Sequence, residues 1–286
     1  MKNIKQILFL ALTSIVFISC GNDDDIPAAN NITLAFHNTF GDETIVLGDA
    51  TSETATVNTS EAGQVHHFSE VKYVISNIVL VQADGTEFPY YINDLDNGAT
   101  VVNVADASTL NYVLTTIPSG EYTQIKFGLG VRSDLNTLDE VSFPEFYALA
   151  GANDTEMHWE WGTGYRFTKI EGFYSADDLT LSVHTGSTVE GTQGDESTYT
   201  QGVDAYRGIT LDLTTNAVVG SSAPTITIKA DFDKLLSGQT NTITLGDNNA
   251  TPSVHTAANM ELFVDNLGGD GTNDVNGMFS VENVEN

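Results

Sequence analysis

The sequence predicts an all-β chain, an antiparallel β-sandwich with one short C-terminal helix. Three observations carry that prediction. Apolar and polar residues alternate in short segments along most of the chain, Thr, Gly, Asn and Asp crowd the intervals between them, and runs with helical spacing are rare. A hydrophobic content of 41% over 286 residues suffices for one large core, so disorder is expected only in a tether.

At the N-terminus, Lys2 and Lys5 precede an apolar stretch from Ile7 to Ile18 that only Thr13 and Ser14 interrupt, and Ser19-Cys20 closes it. The stretch is short for a bilayer span and has the three-part layout of a secretory signal. Phe17-Ile18-Ser19-Cys20 resembles a lipobox, which makes residues 1–19 a lipoprotein signal peptide and Cys20 the lipidated first residue of the mature chain. The alternative is an ordinary signal with an incidental Cys. Cys20 is the single cysteine, so no internal disulfide forms, and lipidation removes an exposed thiol. Residues 20–30 read as an acidic tether. Their Asp23-Asp24-Asp25 run resembles the export signal of Bacteroidetes lipoproteins, which implies an outer-membrane lipoprotein at the cell surface; a merely solvated linker is the other reading.

Cleavage removes two of the 10 basic residues and none of the 39 acidic ones. So acidic a surface repels nucleic acid and anionic lipid head groups and favours cations.

Residues 31–286 then read as one domain. Ile32, Leu34 and Phe36 alternate with Thr33, Ala35 and His37, a strand with one face in a core. Val71 to Val81 is apolar on both faces and reads as a central strand. The alternation returns at Ile125–Val131, Leu179–Val183, Ile209–Leu213 and Ile226–Phe232, separated by Gly-rich turns, and many such strands argue for a sandwich. Two segments break the pattern. Ser253 to Leu267 spaces Val254, Ala257, Ala258, Met260, Phe263, Val264 and Leu267 for a helix, with Ser253 as its cap and Gly268-Gly269 as its stop. Pro144 to Ala150 predicts a shorter helical turn. Ser187 to Gln201 reads as a surface loop.

Both tryptophans fall in one stretch, Met157-His158-Trp159-Glu160-Trp161-Gly162-Thr163-Gly164-Tyr165-Arg166-Phe167, followed by Lys169-Ile170-Glu171-Gly172. On a strand His158 and Glu160 share one face while Trp159 and Trp161 share the other. Composition alone favours an aromatic core ridge there. Among the histidines, His184 lies on the polar face of its strand with Thr180 and Ser182. His37 faces away from Leu34 and Phe36, and His255 lies on the polar side of its helix. His66 and His67 are adjacent, point to opposite sides if extended, and read as loop surface. Asp270, Asn273 and Asp274 offer oxygens around a tight turn but lack the spacing of an EF-hand. No nucleophile elbow, zinc-protease helix, phosphate loop or dinucleotide fingerprint is present, so the chain is read as non-catalytic.

The Met-x-Trp-x-Trp-x-x-Gly-Tyr-x-Phe run with Lys-x-Glu-Gly resembles the signature of the MbnP-like family, periplasmic copper-binding proteins associated with methanobactin, and of their lipoprotein relatives in Bacteroidetes. Lys72–Leu80, Ile117–Tyr122 with Phe127–Val131, and His184-Thr185-Gly186 extend the resemblance, which covers roughly residues 31 to 236. It implies copper handling beside a partner dihaem peroxidase-like enzyme that oxidises a tryptophan to kynurenine. The modified residue would be Trp159 or Trp161, His184 is the best-placed metal ligand, and His158 or His37 would join it. Imidazole suits copper. The chain departs from some relatives in having no histidine two residues after the Trp, and in carrying Glu282 and Glu285 near its end where histidines often stand. A non-catalytic adhesion or glycan-binding module, with the Trp run as core, is the rival class.

Overall fold

The computed structural model describes residues 29–136, 140–151, 156–159, 164–192, 195–246, 253–254, 257–270 and 276–286. The signal peptide, Cys20, the Asp23–Asp25 run, Glu160, Trp161, His255, Asn273 and Asp274 lie outside the described residues. Eight strands carry the architecture: β1 (Ile32–Phe40), β2 (Val65–Gln82), β3 (Gly120–Leu129), β4 (Thr168–Tyr174), β5 (Leu179–Thr185), β6 (Arg207–Val219), β7 (Thr225–Asp231) and β8 (Phe279–Glu285). The smaller sheet runs β8-β7-β1, with Glu43–Thr44 and Asn111–Leu114 also paired to β1; the larger runs β6-β3-β2-β4-β5 and ends on Ser253–Val254. Pairing is antiparallel except between β1 and β7 and between β5 and Ser253–Val254.

Alternation explains the packing. Ile32, Leu34 and Phe36 of β1 and Ile226, Ile228 and Ala230 of β7 are buried in register, Leu34 opposite Ile226 and Phe36 opposite Ile228. They meet the inner face of the larger sheet through rings: Tyr73 of β2 packs on Phe36 and Phe279 at 6.1 and 5.9 Å between centroids, and Phe127 of β3 packs on Phe279 at 5.1 Å. Edge-on aromatic contacts of this kind join the two layers of the sandwich. The Tyr73 hydroxyl donates to Asn38 Oδ1 at 2.9 Å, which satisfies the one polar atom this ring carries into the core.

β2 is the spine, 18 residues long, and its apolar run is buried on both faces as expected. Its first half pairs with β4 and its second with β3, and the register breaks between Ser76 and Val79, where Asn77 takes a left-handed φ of 53° that asparagine tolerates. The two predicted helical segments form as α1 (Pro144–Ala150) and α2 (Ala257–Gly268). Met260, Phe263, Val264 and Leu267 bury one face of α2, and Gly269 ends it at φ 86°. Ser253 is not its cap: with Val254 it forms a short strand parallel to Ser182–Val183. The expected Ser187–Gln201 loop holds a small hairpin, Val189–Glu190 against Thr200–Gln201. Among the described residues no helix is long and apolar enough to cross a membrane.

Candidate functional site

On β4 and β5, Ile170, Leu181 and Val183 face the core, so Lys169, Glu171, Ser182 and His184 face outward. Lys169 stands opposite His184 and Glu171 opposite Ser182; on the other side, Lys72 of β2 stands opposite Lys169 and Glu70 opposite Glu171. The result is a charged array on the outer face of the larger sheet. Lys169 is only 4% exposed, and a buried ammonium needs partners. It has two: Glu70 at 2.8 Å and the carboxylate of Glu156. Burial opposes its charge, but the hydrogen bonds to Glu156 and Glu70 outweigh that and raise its pKa. Lys72 shares Glu70. His184 Nε2 meets Glu171 Oε1 at 2.9 Å, and this hydrogen bond holds the Glu171 carboxyl below its usual range.

The Trp segment docks on this array. His158-Trp159 pairs with Gly164-Tyr165, the Arg166 N–H donates to the Met157 carbonyl at 2.8 Å, and the Phe167 N–H donates to the Thr185 carbonyl at 2.7 Å, joining the hairpin to the end of β5. Glu156, at its entrance, has a left-handed φ of 57°; its side chain takes Lys169 and its carbonyl accepts from the Arg166 guanidinium. A non-glycine residue held there is locally strained, and these two contacts hold it. Trp159, 5% exposed, rests on Gly186, and the Arg166 guanidinium lies 5.6 Å from its ring centre. Gly172 completes the fit at a bulge in β4, where a Cβ would lie 2.9 Å from Phe68 Cα.

The structure thus brings Trp159 to the strand end that carries His184, Thr185 and Gly186. His158 points the other way, into an aromatic box with Tyr147 and Tyr165, each 5.0 Å from its ring. His37 lies on the smaller sheet, its Nδ1 at 2.8 Å from Glu282 and its Nε2 at 2.9 Å from Thr44 Oγ1. His66 and His67 are not loop surface: both belong to β2. His66 is 1% exposed, its ring 5.3 Å from both Phe40 and Phe68, and burial lowers its pKa to about 4. His67 meets the Asp49 carbonyl at 3.0 Å. Among the described residues no three His, Cys, Asp or Glu side chains converge on a metal-sized space. The roles of Glu156 and Arg166 carried no sequence signal, because the fold alone sets the turn that brings Glu156 onto Lys169 and the Arg166 guanidinium; those of Lys169 and Glu171 were visible only as part of a motif.

Fold and junction together define a class: a β-sandwich whose Trp-bearing hairpin is clamped onto a His-bearing strand through a buried lysine. The model of the MbnP family matches residues 29–257, and the chain belongs to that family. The solved structure of MbnP from Methylosinus trichosporium has the same fold, with a TM-score of 0.58 and 15% identity over 88% of this chain and 98% of that one. No curated protein matches the chain.

Proposed function

We propose that this protein is a non-catalytic copper binder, exported and held at the outer membrane by a lipid on Cys20, in which His184 and an oxidised tryptophan of the 157–167 segment supply the ligands. Membership of a family associated with methanobactin and copper biology supports the reading. The observation that carries it is the seating of Trp159 on Gly186, two residues beyond His184, which gathers imidazole and indole at one end of β5. The chemistry of the donors sets a condition. An indole N–H only donates, its lone pair belonging to the ring, whereas the aniline of kynurenine carries an available lone pair. A histidine nitrogen and an amine nitrogen suit copper, and no thiolate of the mature domain competes once Cys20 is lipidated. His184 alone among the described histidines lies beside the Trp segment with a carboxylate behind it.

In this reading the oxidation is the work of an external enzyme, a dihaem peroxidase-like partner. The test is elemental and mass analysis of protein isolated from its own host. A mass change on the peptide holding Trp159 and Trp161, together with bound copper, is expected. Protein made in a host lacking the partner is expected to show neither. Intact tryptophans and no copper in the native protein would overturn the reading.

A further inference from the structure

The geometry points to Glu171 as a positioning residue that fixes the tautomer of His184 and leaves Nδ1 as its ligating nitrogen. The inference rests on the copper reading for its consequence but not for its geometry. His184 Nε2 lies 2.9 Å from Glu171 Oε1, an outward-facing pair one diagonal step apart across β4 and β5. An ionised carboxylate is an acceptor only, so the nitrogen facing it carries the proton and the lone pair of the neutral ring sits on Nδ1.

The neighbouring charges keep this pair intact. Lys169 is two residues from Glu171 on the same face and would compete for its carboxylate, but its ammonium is engaged by Glu70 and Glu156. Glu70 also holds Lys72, the other ammonium of the array. Glu171 is therefore left to His184, and the Lys-x-Glu-Gly motif divides its work: Lys169 clamps the Trp hairpin, Glu171 orients the histidine, and Gly172 gives the bulge its clearance from β2. A carboxylate behind a ligating imidazole fixes the ring and makes the opposite nitrogen a stronger donor, and losing such a partner costs roughly 10–100-fold in metal affinity. Nδ1 is the ring nitrogen nearer the main chain, so a ligand bound there sits close to the β5 backbone.

The test has a spectroscopic arm and a binding arm. Long-range 15N–1H NMR of the metal-free mature protein reads the tautomer of His184 directly. The wild type is expected to carry the proton on Nε2, Glu171→Ala to mix the two tautomers, and Glu171→Gln, which keeps a carbonyl acceptor of the same shape, to restore Nε2–H. Copper titration of protein from the native host is expected to show about a 10–100-fold weaker affinity for Glu171→Ala and a smaller loss for Glu171→Gln. A proton on Nδ1 in the wild type overturns the inference, as does a tautomer and affinity unchanged in Glu171→Ala. If no form of the protein binds copper, the copper reading fails and the tautomer arm alone decides this one; wild type and Glu171→Gln suffice for it should Glu171→Ala not fold.

Discussion

The indole of Trp159 rests on Gly186, and a methyl group at position 186 would lie 2.7 Å from the indole Cη2 and 2.9 Å from the Tyr165 carbonyl oxygen. Neither neighbour yields freely, because the carbonyl is main chain and the ring is packed beneath Arg166. Gly186→Ala is therefore expected to destabilise the fold by roughly 2 kcal/mol through overpacking, with a shift in tryptophan emission as the ring is displaced. Thermal unfolding and fluorescence check both; a variant unchanged in each would mean that the ring does not sit there.

Lys169 is the clamp between the Trp hairpin and the sheet. Removing it leaves Glu70 and Glu156 facing each other without the ammonium between them. Lys169→Met leaves Glu70 paired with Lys72 and Glu156 half exposed, so the expected cost in denaturant unfolding is about 1.5 kcal/mol, that of losing charge-assisted hydrogen bonds. Because the ammonium is buried, that loss should change little between low and moderate salt. A cost below about 0.5 kcal/mol would assign the pair to the weak exposed class instead.

Acid stability follows from His66. Its folded pKa of about 4 lies below its ordinary value of 6.5, so the unfolded chain takes up the proton first and stability falls as pH drops from 6.5 towards 4. The full effect is on the order of 3 kcal/mol. The Glu171 and Glu156 carboxyls, both held below their usual range by hydrogen bonds from His184 and Lys169, contribute stability at neutral pH that is lost lower still, as pH falls through their folded values. Melting temperatures measured from pH 7 to 4 should flatten in His66→Leu, and an unaltered acid limb would remove His66 from the account.

His66 also shows where sequence reading stops. Alternation found β1, β3, β5, β6 and β7, and the doubly apolar run found the spine, because period and burial are written in the residues themselves. A polar pair before that run looked like a loop, yet β2 begins at Val65 and buries His66 between two phenyl rings that the sequence cannot assign to it. The parallel pairing of β1 with β7, almost 200 residues apart, is equally silent in sequence. At the site, the motif named Lys169, Glu171 and His184, and strand periodicity placed His184 outward. The clamp to Glu156 was not legible, since it depends on a turn whose direction only the fold decides.

Anchoring is a separate matter. If Cys20 carries a lipid, Cys20→Ala should move the protein from the membrane fraction to the soluble one, because a single anchoring signal is then gone. Fractionation with immunoblotting reads the outcome, and a mutant retained on membranes would refute the lipid.

The central claim is that His184 ligates copper together with an oxidised tryptophan of the 157–167 segment. Its most direct test is a competitive copper titration of protein purified from the native host, wild type against His184→Ala. Tight binding by the wild type, weakened by His184→Ala and unaltered by His67→Ala, is the result predicted. Equal copper affinity in the wild type and His184→Ala would contradict it and return the Trp run to the role of core.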